Sequence, residues 1–145
     1  MNYFVYLNTK KLNKNDEQAM LEYTKRLGAY CKTSYHLQPA SKLNDLLTKI
    51  KNSEHSCLVS VVPGKDTPSS EVLASNINQI GLQGISTIYI FIGYENVTTT
   101  QELDLPSIHS LSLSSMDLSI GLTGVVLFEQ IYRGYRILNN QPYHK

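Results

Sequence analysis

Cysteine is scarce in this chain. Cys31 and Cys57 are the only two, placed near opposite strand ends without the close spacing of a metal site or redox pair, so both read as buried free thiols. An excess of either charge is missing as well: 13 basic against 12 acidic side chains leave +1, whereas a dedicated duplex binder is far more basic. Basic clusters at Lys10, Lys11 and Lys14, at Lys25 and Arg26, and at Arg133, Arg136 and Lys145 read as solvated faces unless a dimer makes them converge. No stretch reaches the roughly 20 apolar residues of a membrane span, because Glu129, Gln130, Arg133 and Arg136 interrupt the most apolar segment. The first residues, Met1 to Leu7, form a short apolar run that meets Lys10 and Lys11. With no basic leader and no small-residue cleavage site, they read as a strand of a cytoplasmic protein. Dinucleotide-binding glycines, a phosphate-loop lysine, a Cys/His metal cluster and a nucleophile elbow are all lacking. So are internal repeats and linkers.

What remains is an ordinary globular composition, 41% hydrophobic and 17% charged over 145 residues, consistent with a single domain 1–145. Along the chain, strand patterns at Tyr3–Leu7, Thr33–Leu37, Ser56–Val62, Thr87–Ile92 and Ile108–Leu113 alternate with helical ones. Asn13 or Asn15 caps a helix running to about Tyr30, Ser41 caps one through Ile50, and Ser69 or Ser70 caps one that Gly81 and Gly84 stop. The continuous apolar runs at Ser56–Val62 and Thr87–Ile92 are those of strands buried on both faces. The alternation predicts an α/β fold, a mostly parallel sheet flanked by helices. Ligands bind such sheets at the carboxyl ends of their strands. The loops there are Pro63-Gly64-Lys65, Gly93-Tyr94-Glu95-Asn96 and Ser114-Ser115-Met116-Asp117.

The last stretch, Ser107 to Lys145, organises the rest. Its helix, about Ile120 to Leu138, is apolar over more than the roughly 100° stripe of a one-sided helix. It is expected to pack on its own sheet and on a second subunit. The chain then ends on Tyr143-His144-Lys145, an imidazole and a phenol on a free end that can reach a neighbouring site.

The run from Phe128 to Leu138, Phe-Glu-Gln-Ile-Tyr-Arg-Gly-Tyr-Arg-Ile-Leu, followed by Pro142-Tyr143-His144-Lys145, resembles the RlmH family of SPOUT-type methyltransferases. Weaker agreement runs through Leu21 to Leu27, Gly64-Lys65, Ser69-Ser70-Glu71 and Ile90 to Gly93. The element order fits over the whole length, with a shorter region between the second and third strands. The resemblance implies methyl transfer from S-adenosylmethionine to N3 of a pseudouridine in large-subunit ribosomal RNA. It implies a C-terminal trefoil knot, a rare exception among folds, and a homodimer in which one subunit's tail closes over the other's cofactor site. Cofactor contacts carry over to Ser60, to Gly93 and Tyr94, and to Leu113, Ser114, Ser115, Met116, Asp117 and Leu118. The chain departs from the family where Ser60-Val61 replaces Leu-Asp or Leu-Glu and Gly93-Tyr94 replaces a Gly-Gly pair. It also has Ser119-Ile120 for Pro-His, and Gly124 for an arginine.

N3 of a pseudouridine carries its proton at neutral pH, so methylation needs proton removal and alignment of the reacting atoms. His144 is the candidate base or proton relay, and Tyr143 would position the base or the uracil ring. Arg133 and Arg136, with Lys145, would contact RNA phosphates; otherwise the arginines cap the helix C-terminus. Two other readings stay open: a SPOUT-fold paralogue that binds RNA or the ribosome without methyl transfer, and a small-molecule-binding α/β domain with no RNA role. Tyr94 and Ser119-Ile120 separate the enzyme from the paralogue, and salt-sensitive RNA binding separates both from the third.

Overall fold

The computed structural model describes residues 1–94 and 108–145. Glu95 and Asn96 of the predicted ligand loop, and Ser107, lie outside them. The order is β1 (Asn2–Leu7), α1 (Lys14–Leu27), β2 (Lys32–Leu37), α2 (Leu43–Ile50), β3 (Ser56–Val61), α3 (Ser70–Leu82), β4 (Thr87–Ile92), β5 (Ile108–Leu111) and α4 (Ile120–Leu138). The strands form one five-stranded sheet, β2-β1-β4-β3-β5, parallel at every pairing.

Alternation along the strands sends successive side chains to opposite faces. On one face Tyr3, Val5 and Leu7 of β1, Cys57, Val59 and Val61 of β3, and Ile88, Ile90 and Ile92 of β4 meet Met20 and Leu27 of α1 and Leu127, Phe128 and Ile131 of α4. On the other, Leu58 and Phe91 meet Leu43, Leu47 and Ile50 of α2. Every residue of β3 is buried, as its unbroken apolar run predicts. Helix α4 packs against both α1 and α3, and its Gly134 rests on Ala74 and Ile77. Neighbours within the chain therefore account for much of its broad apolar surface; Leu122 stays exposed.

Several boundaries differ from the sequence reading for local reasons. Asn13, Ser69 and Ser119 each accept a backbone N–H from the first turn of their helices, but Ser41 caps nothing. It sits inside a short 3-10 turn, Ala40–Lys42, that begins after Pro39 and runs straight into α2. Helix α1 stops at Leu27, where the chain turns and the Leu27 carbonyl accepts from both Tyr30 and Cys31. Gly81 lies within α3; the left-handed residue beyond it is Gly84, φ 83°. Strand β5 ends at Leu111 because Ser112 leaves the ladder for the loops described below.

Both cysteines are free, Cys57 buried and Cys31 half-buried. Burial pushes both thiols up, from 9.0 to about 11. Burial likewise raises Tyr3, whose hydroxyl lies 3.0 Å from that of Tyr135, and it raises Tyr135 and Tyr94 to about 12. An acid whose pKa is raised by folding stabilises fully below its unfolded value and loses that contribution as pH climbs through the folded one. The melting temperature is expected to stay level up to about pH 9 and then fall steadily toward about pH 12. A melting curve flat across that alkaline window would contradict the burial of these groups.

Candidate active site

The carboxyl edge of the sheet carries a cleft of about 110 Å³. Its floor is Val61 and Ile92, the last inward residues of β3 and β4, with Ile120 and Thr123 from the start of α4. Its walls are Val62-Pro63 after β3, Gly93 after β4, and Leu113, Ser114, Met116, Asp117 and Leu118 after β5.

Local chemistry sets these loops. Gly93 has φ 84°, and a Cβ there would stand 2.8 Å from Ile120 Cδ1, so only glycine suits both its backbone and its neighbour. Asn8 ties three loops together: its Nδ2 donates to the Gly93 carbonyl at 2.9 Å, and its Oδ1 accepts from Ala40 N at 3.0 Å. Buried Ser112 has its hydroxyl 3.1 Å from both the Gly64 and the Ser114 carbonyl oxygens, available to donate to either. Gly64 N in turn donates to Ser114 O at 3.1 Å, which stitches the loops after β3 and β5. Ser114 Oγ accepts from Met116 N at 2.9 Å and forms the turn.

Six of the nine residues expected to contact a cofactor line this cleft: Gly93, Leu113, Ser114, Met116, Asp117 and Leu118. Ser115 is exposed beside it. Ser60 points to the opposite face, one step out of phase with Val61, and its buried hydroxyl has no partner among the described residues. Tyr94 is 4% exposed and packs with Phe91 and α2 on that opposite face. Its hydroxyl donates to the Gln38 carbonyl. The phenol ring that differs from the family's glycine is therefore turned out of the cleft. Gly124 is buried against Leu7 and Met20 and does not border the cleft. Val61, Ile92, Ile120 and Thr123 were not expected as lining; their signal was their position at strand ends and in the first turn of the last helix. A larger cavity of about 360 Å³ lies under α3, walled by Val59, Leu73, Ile77 and Leu127, and none of the expected contacts borders it.

The tail forms a second cluster. It is not a free end: Asn140, at φ 53°, reverses the chain after α4, and Gln141 N donates to Arg136 O at 2.9 Å. Arg136 holds it there, donating to Tyr30 Oη at 3.2 Å, Gln141 Oε1 at 3.1 Å and the Pro142 carbonyl at 2.8 Å. Arg133 donates through Nε and Nη2 to Glu129 Oε1 at 3.0 and 2.6 Å. Its guanidinium also lies 4.9 Å from the Tyr143 ring centre. Tyr143 Oη donates to the same Glu129 oxygen at 3.1 Å. Burial, then hydrogen bonding to Tyr23 and Glu129, pushes its phenol up, so it remains a neutral donor. His144 Nδ1 lies 3.2 Å from Arg133 Nη1, and its Nε2 lies 2.6 Å from Glu71 Oε1 at the start of α3. Beside it, Ser70 Oγ donates to Gln130 Oε1 at 2.6 Å. Both arginines expected to meet RNA phosphates are thus engaged in docking the chain's own tail, and only Lys145 projects into solvent. Among the described residues there is no group of His, Cys, Asp or Glu able to hold a metal ion, and no helix long and apolar enough to cross a membrane.

An all-parallel sheet covered by helices on both faces, with a cleft at its carboxyl edge, defines an α/β protein of the kind whose ligand position is at the strand ends. Within that class the chain belongs to the SPOUT methyltransferases: the family model described as "Predicted SPOUT methyltransferase" matches residues 1–144. Its relatives include ribosomal RNA large subunit methyltransferase H 2 of Thermoanaerobacter pseudethanolicus, 36% identical over 147 residues and covering 100% of both chains. The ribosomal RNA large subunit methyltransferase H of Finegoldia magna is 35% identical over 141 residues, 86% of this chain and 87% of its own. That of Bifidobacterium adolescentis is 34% identical over 143 residues, covering 88% and 89%.

Proposed function

We propose that this protein is an S-adenosylmethionine-dependent methyltransferase of large-subunit ribosomal RNA, acting on N3 of a pseudouridine. The observation that carries the reading is the carboxyl-edge cleft, walled by the loops after β3, β4 and β5 and left open by Tyr94. Its residues suit the adenosyl end of the cofactor: an apolar floor of Val61, Ile92 and Ile120, close loop backbone from Leu113 to Leu118, and the Asp117 carboxylate at the rim. When bound, S-adenosylmethionine supplies an electrophilic methyl on a sulfonium. The chain's own task is to bind and orient, and to take the N3 proton.

The cleft, at about 110 Å³, is smaller than the roughly 300–1,000 Å³ of a complete ligand pocket. Tyr143 and His144 dock on α3 and α4 and line none of it. These facts support a homodimer in which a second copy's tail completes each cleft, with His144 as proton acceptor and Tyr143 as the positioning phenol. Exposed Leu122 and half-buried Val125 and Val126 leave apolar surface on α4 for such a contact. The chain is read as one SPOUT domain with the family's C-terminal trefoil knot. Support for the knot is that β5 lies beyond β3, away from β4, while α4 returns to pack against α1 and α3. A cytoplasmic location follows from a ribosomal RNA substrate.

The test is calorimetric titration with S-adenosylmethionine and S-adenosylhomocysteine, followed by methyl transfer to ribosomes lacking the modification. Micromolar binding with transfer to a pseudouridine N3 is the expected result. Ribosome binding without either would favour the non-methylating paralogue, for which Ile120 in place of the family's histidine is the specific motive.

A further inference from the structure

The imidazole of His144 is gripped from both sides by groups that leave it one tautomer. Arg133 is always a donor and has no acceptor atom, so the Nδ1 atom that its Nη1 faces at 3.2 Å carries a lone pair. The proton of the neutral ring then sits on Nε2, which points at the Glu71 carboxylate 2.6 Å away. The two contacts come from different helices and select the same state. Glu71 is exposed in the first turn of α3 and is not part of the cleft lining; the helix N-terminus favours a carboxylate there, and its side chain also reaches the tail. Its carboxyl is held below the usual range by its own backbone N–H first and by His144 second, so it stays an acceptor at neutral pH.

We propose that Glu71 is a positioning residue for His144, holding the Nε2 proton so that Nδ1 is the nitrogen that accepts the proton from the substrate. This rests on the methyltransferase reading above. In the step, the N3–H bond of the pseudouridine breaks and its proton goes to Nδ1. The N3 electron pair forms the new bond to the methyl carbon, and the carbon–sulfur bond of S-adenosylmethionine breaks with its electrons to sulfur. The imidazolium that results keeps Nε2–H on the Glu71 carboxylate, which offsets the new charge. Nδ1 becomes free only when Arg133 Nη1 moves off it, and the anionic phosphate of an RNA strand has the chemistry to draw a guanidinium away. His144, Arg133, Glu129, Glu71 and Tyr143 are the charged and titratable groups of this grip.

The experiment compares wild type, Glu71→Ala and Glu71→Gln. Ring-nitrogen NMR on histidine-labelled protein, with His144 assigned by a His144→Asn variant, reads the tautomer without any need for activity. A single Nε2–H tautomer is expected in wild type; in Glu71→Ala the ring loses its charged acceptor, swings off Arg133 and gives a mixture, and Glu71→Gln, whose amide oxygen still accepts the Nε2–H hydrogen bond, restores the single form. In the methylation assay kcat should fall roughly 10- to 100-fold in Glu71→Ala, part of the roughly 10²–10⁴ that positioned proton transfer contributes. KM for S-adenosylmethionine should be unchanged, and Glu71→Gln should fall between. An unchanged His144 spectrum in Glu71→Ala, or an unchanged kcat, overturns the proposal, and so does a matching loss of cofactor binding, which would mark a merely structural role. If wild type neither binds the cofactor nor transfers methyl, the proposed function fails by itself. The spectra then still decide whether Glu71 sets the tautomer.

Discussion

Replacing Gly124 by arginine should unfold this protein or nearly so. Helix α4 crosses the sheet here with no room to spare. A Cβ on Gly124 would stand 3.1 Å from Leu7 Cδ2 and from both Cε and Sδ of Met20, all in the core between α1, α4 and β1. Leu7 and Met20 are fully buried, so neither can swing into solvent to make way. Overpacking of this kind costs about 1–3 kcal/mol, and an unpaired guanidinium forced under the helix adds several more. The sum is a large share of the roughly 5–15 kcal/mol that holds a domain together. Urea denaturation of Gly124→Ala and Gly124→Arg is the check. Alanine should remain folded with its unfolding free energy lowered by about 1–3 kcal/mol, and arginine should show no cooperative transition. A folded, active Gly124→Arg protein would mean that α4 is not seated as described. The arginine expected from the family resemblance is therefore not one substitution away, because the position has become part of the packing.

Gly93→Val should sharply weaken cofactor binding while leaving a folded, destabilised protein. Two effects act on the same atom. At φ 84° a β-branched residue is strained, costing about 1–3 kcal/mol, and its Cβ would press on Ile120 at 2.8 and 3.1 Å and on Asn8 Cβ at 3.4 Å. Relief lies in pushing Ile120 toward the cleft that it floors. Affinity for S-adenosylhomocysteine should then fall about 100-fold or more, a change of about 2.7 kcal/mol. Tyr94→Phe is the matched control. It removes only the hydroxyl bond to Gln38 on the other face of the sheet, for about 1 kcal/mol of stability, and binding should stay within about two-fold, which is only about 0.4 kcal/mol. If Tyr94→Phe tightened or lost the ligand while Gly93→Val did not, the cleft at the carboxyl edge would be the wrong site.

The order of strands and helices, a mostly parallel sheet, the helix caps as a choice of Asn13 or Asn15 and of Ser69 or Ser70, and the approximate limits of α4 at Ile120 and Leu138 were legible in the sequence; the structure selected Asn13 and Ser69. Each rests on short-range chemistry: apolar spacing, a side chain bonding a backbone N–H a few residues on, or a proline that a strand cannot contain. The loops that wall the cleft were legible too, since a parallel sheet puts its ligand loops at one edge. Tertiary structure alone decided which way the side chains in those loops turn. Ser60 and Val61 are neighbours in sequence, yet the pleat sends one to each face of the sheet. Tyr94 follows Gly93, and the left-handed backbone at that glycine carries the phenol away from the ligand side. The tail was the largest surprise, because His144 meets Glu71 across 73 residues and Tyr30 meets Gln141 across 111. No periodicity reports such contacts. They exist because α3 and α1 both pack against α4 and Asn140 turns the chain back along it, so the sequence by itself determined the elements and their order, and packing decided which of their polar groups face one another.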